Sequence, residues 1–238
     1  MFDTKTKSST PEPGSVRPDF LVAAAPLRRL PGRNWTKADV LFFRLDGEGV
    51  AVKDYGPRPF LVRQTIGRLL TRREAAAYRA AAGVEGLPRF LGRLGPWTLA
   101  LEWIEGRTLA DLRGEALDDG IFDRIEEILM SLHARGVAAG DLHHRDVLVG
   151  PGRSVHLVDL ATALVLGRRP GSLRRAAFSR LAAQDLVALA RMRARWTGRD
   201  EEEAIAAVGK EAAAWYARGR RLRRIWDRLR GRRAPGAR

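Results

Sequence analysis

Gly140-Asp141-Leu-His-His-Arg-Asp146-Val-Leu-Val149, turned by Pro151-Gly152 and answered by Val155-His-Leu-Val-Asp159, is the stretch on which the reading of this chain turns. Two short runs rich in β-branched residues on either side of a Pro-Gly turn predict a hairpin. The loop before it and the end of its second strand carry Asp141, Asp146 and Asp159, which the hairpin is expected to set side by side. Gathered carboxylates repel one another unless a cation neutralises them, and an all-oxygen ligand set suits Mg²⁺. A divalent ion there would bridge nucleotide phosphates and offset charge in a transition state. The alternative is a solvated acidic turn. Val147-Leu-Val149 and Leu157-Val158 argue against it, because they imply buried strands.

Upstream of the hairpin, Val40-Leu-Phe-Phe-Arg-Leu45 and Gly49-Val-Ala-Val-Lys-Asp-Tyr55 read as antiparallel strands joined by a turn over Asp46-Gly47-Glu48-Gly49. Lys53 lies in the second of them. A lysine in a half-buried strand is costly unless its ammonium meets an anion, and Glu74, on the helix predicted over residues 61 to 82, is the candidate. A lysine that snorkels to solvent is the alternative. Phe90-Leu-Gly92 and Trp97-Thr-Leu-Ala-Leu-Glu-Trp103 read as further strands, Thr108 to Leu112 as the opening of a helix, and Ile121 to Arg135 as an amphipathic helix ending at Gly136. Everything after Ala176 is helical in pattern. Strands with one helix, followed by helices with one acidic hairpin, make an α+β arrangement of two lobes.

These residues together resemble the protein-kinase-like superfamily. Val50-Ala-Val-Lys53 looks like the kinase V-A-I-K strand, and Glu74 matches the helix glutamate that pairs with its lysine. Asp141-Leu-His-His-Arg-Asp146 resembles the catalytic loop D-L-x-x-x-N, and Val158-Asp159-Leu-Ala161 resembles D-F-G. Leu101-Glu102-Trp103-Ile104 fits the hinge whose backbone binds adenine, which makes Glu102 and Ile104 nucleotide-binding candidates. Gly140-Asp141-Leu-His in place of His-Arg-Asp-Leu-Lys is similar to the compact bacterial lipopolysaccharide-core and Kdo sugar kinases and their RIO-like relatives. The resemblance spans roughly residues 28 to 195 and implies a two-lobed fold, with a small β-rich N-lobe and a reduced helical C-lobe. It implies ATP and Mg²⁺ as cofactors, Asp141 as the catalytic residue, Lys53 on the phosphates with Glu74 positioning it, and Asp146 with Asp159 on the metal. The acceptor it implies is a hydroxyl on a sugar of a lipopolysaccharide-type envelope lipid. A RIO-like serine/threonine kinase and a non-catalytic kinase-like binding module are the alternatives.

The chain departs from the family pattern in several places. Asp146 stands where the metal-binding Asn is expected, Ala139 replaces a structural His, and Leu160-Ala161 replaces Phe-Gly. No G-x-G-x-x-G loop is present, and Leu30-Pro-Gly32-Arg-Asn-Trp35 is the nearest candidate. Asp185, in the helix predicted over Leu181 to Met192, is read either as a support for the catalytic-loop backbone or as a surface aspartate. His143 and His144 are read as loop histidines, since a zinc site wants three or four well-placed ligands.

Composition sets the outer bounds. The chain has 238 residues, of which 43 are Lys or Arg against 28 Asp or Glu, a formal charge of +15 that favours anionic partners. It has no cysteine, which excludes disulfides, thiolate metal sites and cysteine nucleophiles. Phe20 to Leu27 is too short to span a bilayer and lacks signal-peptide order, so a cytoplasmic protein, or one peripheral at the inner membrane, is expected. Residues 1–19 read as a tail, 20–104 as the N-lobe, 105–214 as the C-lobe, and 215–238 as a basic amphipathic helix and tail. The Arg-rich face of that last helix suits an anionic membrane surface, while its apolar stripe would equally serve packing on the lobe. Nucleic acid as a partner rests on charge alone.

Overall fold

Leu45 pairs with Glu48 across Asp46 and Gly47, both with positive φ (50° and 87°), and this two-residue turn registers the first hairpin of the chain. The structure, a computed structural model, describes residues 25–115 and 117–209. The expected tail over 1–19 and basic helix over 215–238 lie outside the described residues. The fold is α+β. The described chain divides into two compact units. One runs to Ala82 and takes in Pro88–Ile104, and the other comprises Gly83–Leu87 and the chain from Glu105 onward.

The first unit is a five-stranded antiparallel sheet of order β1-β2-β3-β5-β4, built from β1 (Arg28–Leu30), β2 (Asp39–Leu45), β3 (Glu48–Asp54), β4 (Phe90–Arg93) and β5 (Thr98–Glu102). Period-two alternation turns Phe43, Val50, Val52 and Ala100 to one face, where they pack with Leu91 and Leu94. A helical run lies between β3 and β4. It begins as a single turn, α1 (Phe60–Val62), passes through a π turn (Arg63–Gly67), and continues as α2 (Arg68–Ala80). Gly67 lets the run approach β3 closely: a Cβ there would stand 2.9 Å from that of Tyr55.

β1 was not expected from the sequence. Its three residues are exposed, and a buried carboxylate holds it in place. Asp39, 2% exposed, accepts hydrogen bonds from Arg29 Nη2 at 2.6 Å and the Gly32 amide at 2.9 Å, and it also pairs with Arg58.

The second unit centres on α3 (Asp119–Ala134). Its buried positions, Ile121, Phe122, Ile125, Ile128, Leu129 and Leu132, form one stripe at helical spacing. The Asp118 carboxylate caps its start by accepting from the Gly120 amide. Against it lie a three-stranded sheet, β6 (Arg107–Thr108), β8 (Val147–Val149) and β9 (Val155–Leu157) in the order β6-β8-β9, and a two-stranded pair, β7 (Val137–Ala138) with β10 (Leu164–Val165). The described residues close with α4 (Ser172–Thr197), broken at Gly198, and α5 (Glu201–Val208). Residues 83–87 belong here because the Gly86 carbonyl accepts from the Leu157 amide at 2.8 Å.

Two local expectations are corrected. Thr108–Leu112 opens no helix: Thr108 pairs with Leu148 in β6, and the Asp111 carboxylate then accepts from the Thr108 amide and hydroxyl, at 3.1 and 2.7 Å. Such side-chain closure competes with helix formation. The return strand stops at Leu157 rather than Asp159, because the Asp159 carboxylate turns back to accept from the Ala161 amide at 3.0 Å. Among the described residues no helix is long and apolar enough to cross a membrane.

Replacing Asp39 with Ala leaves Arg58, largely buried, without its carboxylate and releases the Gly32 amide. A loss of about 3–5 kcal/mol is expected in urea unfolding. A loss under about 1 kcal/mol would show that the carboxylate does not organise this edge.

Candidate active site

In the first unit Lys53 lies mid-strand, paired with Val40 on one side and Leu99 on the other. Its Nζ donates to Glu74 Oε1 at 2.5 Å. The lysine side chain is 14% exposed and the glutamate 1%, so the sequence expectation of a strand lysine met by a helix carboxylate describes the contact found.

Glu102 and Ile104 sit differently from each other. The Glu102 amide donates to the Arg89 carbonyl and the Trp103 amide to the Gly49 carbonyl, both at 2.9 Å. The Glu102 carboxylate accepts from the Arg89 amide at 3.1 Å and from its Nε at 3.2 Å, which straps β5 to the chain entering β4. Ile104 follows the end of β5 and is the last residue of the first unit. The Gly32 loop does lie between β1 and β2, but its glycine is committed: the amide serves Asp39, and a Cβ would stand 2.4 Å from the Lys37 carbonyl oxygen.

In the second unit the β7–β10 pair brackets residues 139–163, and the loop that carries Asp141 is held from beneath by α4. Asp185, 1% exposed, accepts from the Ala139 amide and the Gly140 amide, each at 2.8 Å, and meets His133 Nε2 at 3.0 Å. Burial on this scale rules out the surface reading of Asp185. Gly140 has φ +82°, and a Cβ would lie 3.1 Å from the Thr162 carbonyl oxygen, so the bend that delivers Asp141 to the surface needs glycine. Ala139 brings only its backbone amide to this contact. The imidazole that meets Asp185 comes instead from α3, and nothing in the sequence near the loop pointed to His133.

Asp146 and Asp159 are neighbours across the hairpin, since the Val158 amide donates to the Asp146 carbonyl at 2.9 Å. The Asp146 carboxylate accepts from the His143 amide at 3.1 Å, and that of Asp159 from the Ala161 amide. The expected cluster of three carboxylates is not found: among the described residues no three His, Asp or Glu side chains are grouped so as to hold a metal ion. The Asp146 and Asp159 carboxylates each close a local turn instead. Two hard oxygen ligands still fit Mg²⁺, which takes one or two protein carboxylates and completes its shell with phosphate and water oxygens.

His143 and His144 stack on each other with ring centroids 3.8 Å apart, and His144 also meets Trp196 at 5.7 Å. Burial, then the charges of His143, Arg145, Arg113 and Arg195, lower the His144 pKa from 6.5 to about 4. No protein-family model matches the chain, and no curated protein matches it significantly.

The buried pair should behave non-additively. Lys53→Met strands the Glu74 carboxylate and is expected to cost about 3–5 kcal/mol in urea unfolding, whereas Lys53→Met with Glu74→Leu should recover most of that. Additive losses would refute the coupling. For His144 the unfolded imidazole protonates near 6.5 and the folded one only near 4, so the unfolded state binds more protons in between. Stability should therefore fall as pH drops through that window, and His144→Gln should flatten the fall. An NMR titration of the His144 ring near 6.5 would contradict this.

Proposed function

We propose that the chain is an ATP-dependent phosphotransferase acting on a hydroxyl, with a two-lobed kinase-like architecture and a sugar of a lipopolysaccharide-type envelope lipid as the acceptor. The observation that carries the reading is the buried Lys53–Glu74 pair: a strand lysine held at 2.5 Å by a helix carboxylate. A positive group kept charged and oriented inside apolar surroundings is suited to phosphate oxygens.

Bound ATP with Mg²⁺ would supply the phosphoryl group and the cation that offsets its charge. Lys53 would hold the phosphates while Glu74 fixes its position. Asp146 and Asp159 would hold the metal, their carboxylates placed by the hairpin and by their own turns. Asp141, exposed at the end of a loop anchored through Asp185, would orient the acceptor hydroxyl and take its proton. Transfer of this kind needs little covalent help, so positioning and charge supply most of the rate. The RIO-like protein-kinase alternative uses the same residues on a different acceptor. The non-catalytic alternative draws support from the Gly32 loop, whose glycine amide is spent on Asp39.

Thermal unfolding with ATP, with and without Mg²⁺, tests this. At nucleotide about a hundredfold above its dissociation constant, stabilisation of about 2.7 kcal/mol is expected, or about 5–10 °C in Tm. Asp159→Ala should abolish the Mg²⁺-dependent part. Asp141→Ala should keep the shift and lose transfer. No Mg²⁺-dependent shift in the wild type would overturn the enzyme reading, and a shift without any transfer would favour the binding module.

A further inference from the structure

Arg195 and Trp196, in the last turn of α4, line two cavities at once. One, of about 230 Å³, is shared with Leu142, His143, His144, Arg191 and Glu201, and the other, of about 460 Å³, reaches Arg113 and Glu115. The first begins at the residue directly after Asp141.

The charges around these cavities are poorly balanced. Arg191 is paired with Glu201 at 2.8 Å. Arg195, Arg113 and Arg145 have no acidic partner among the described residues, although all three are near enough to act on the charge of His144. Some other arginines of the same unit are tied down: Arg193 to Asp119 and Asp123, Arg199 to Asp119, and Arg174 to the Val165 carbonyl. A second observation is independent of charge. The Trp196 Nε1–H is buried and finds no acceptor. Buried donors are almost always paired, and this one has its bonding capacity unused. Guanidinium groups beside a neutral N–H are the donor set that carboxylates and phosphates select.

We propose that this pocket is an anion subsite, which holds a phosphate or carboxylate group already present on a sugar acceptor. Arg195 is its uncompensated cation, and the Trp196 indole is its neutral donor. The assignment to an acceptor rests on the kinase reading above. Under that reading, a substrate anchored by its charged group beside Leu142 is held next to the residue that handles its hydroxyl.

The test uses the full chain labelled with ¹⁵N, following the indole N–H signals of its six tryptophans. The Trp196 signal is assigned with Trp196→Phe. The probes are inorganic phosphate, glucose 6-phosphate and glucuronate, with uncharged glucose as control. The expected result is a saturable shift of the Trp196 signal with the three anions and none with glucose. Arg195→Gln should weaken binding about tenfold or more, and Arg175→Gln, at an exposed position near the start of α4, should leave it unchanged.

A response equal for glucose, no saturable response, or equal weakening by the two substitutions would overturn the subsite. Mg²⁺-dependent ATP binding, followed by thermal unfolding on the same samples, separates the two readings. Retained ATP binding with no anion response rejects the subsite and leaves the kinase reading standing. Anion binding without Mg²⁺-dependent ATP binding rejects the kinase reading, and the acceptor assignment falls with it.

Discussion

A buried carboxylate with three donors around it sets the geometry of the second unit. Asp185 is removed from water, which is costly for an ionised group unless each oxygen is satisfied, and the Ala139 amide, the Gly140 amide and His133 satisfy it. The same three contacts join α4, the Asp141 loop and α3 at one point. Loop conformation and helix packing are therefore coupled: the loop cannot move away without leaving a charge unpaired in the interior. A residue offered to solvent, as Asp141 is, gains a fixed position from a residue that is not.

The first unit uses the same device twice. Asp39 gathers Arg29, Arg58 and the Gly32 amide, and Glu74 meets Lys53. Both carboxylates are almost fully buried and both are reached by cations from other elements. Such pairs add little net stability compared with apolar residues of the same shape, but they punish any arrangement that separates them. They specify where the elements lie more than they hold them together.

Most of the sheet in the first unit was legible in the sequence, because alternation over Val40–Leu45 and Val50–Lys53 and the Asp46-Gly47 turn are local signals. The helical stripe of α3 was legible for the same reason. Chemical cost left Lys53 either paired with Glu74 or snorkelling to solvent, and the resemblance to the kinase strand and helix added the case for the pair. What escaped was fixed by distant partners. β1 has no apolar pattern and exists through Asp39. Thr108 joins a strand because Leu148 is there to pair with it. The three loop carboxylates were expected to gather because their chain positions are close, yet backbone amides within one or two turns satisfy Asp146 and Asp159 first. Arg195 and Trp196 were hidden by the abundance of arginine, and only the cavity wall sets them apart.

The π turn at Arg63–Gly67 bears on how Glu74 is aimed. Along α2, Thr71, Glu74, Ala75 and Tyr78 are buried, with Gly67 before them, in step with 3.6 residues per turn, and Ala77 is buried beside that line. Val62 is also buried, but it lies five residues before Gly67, a gap that an unbroken α-helix would place about 140° out of phase. The wider turn absorbs one surplus residue, so the start of the helix and the carboxylate that meets Lys53 share a single buried line. Winding in this short segment thus acts as a phase adjustment: the same residues in an unbroken α-helix would have to choose between burying Val62 and delivering Glu74 to its lysine.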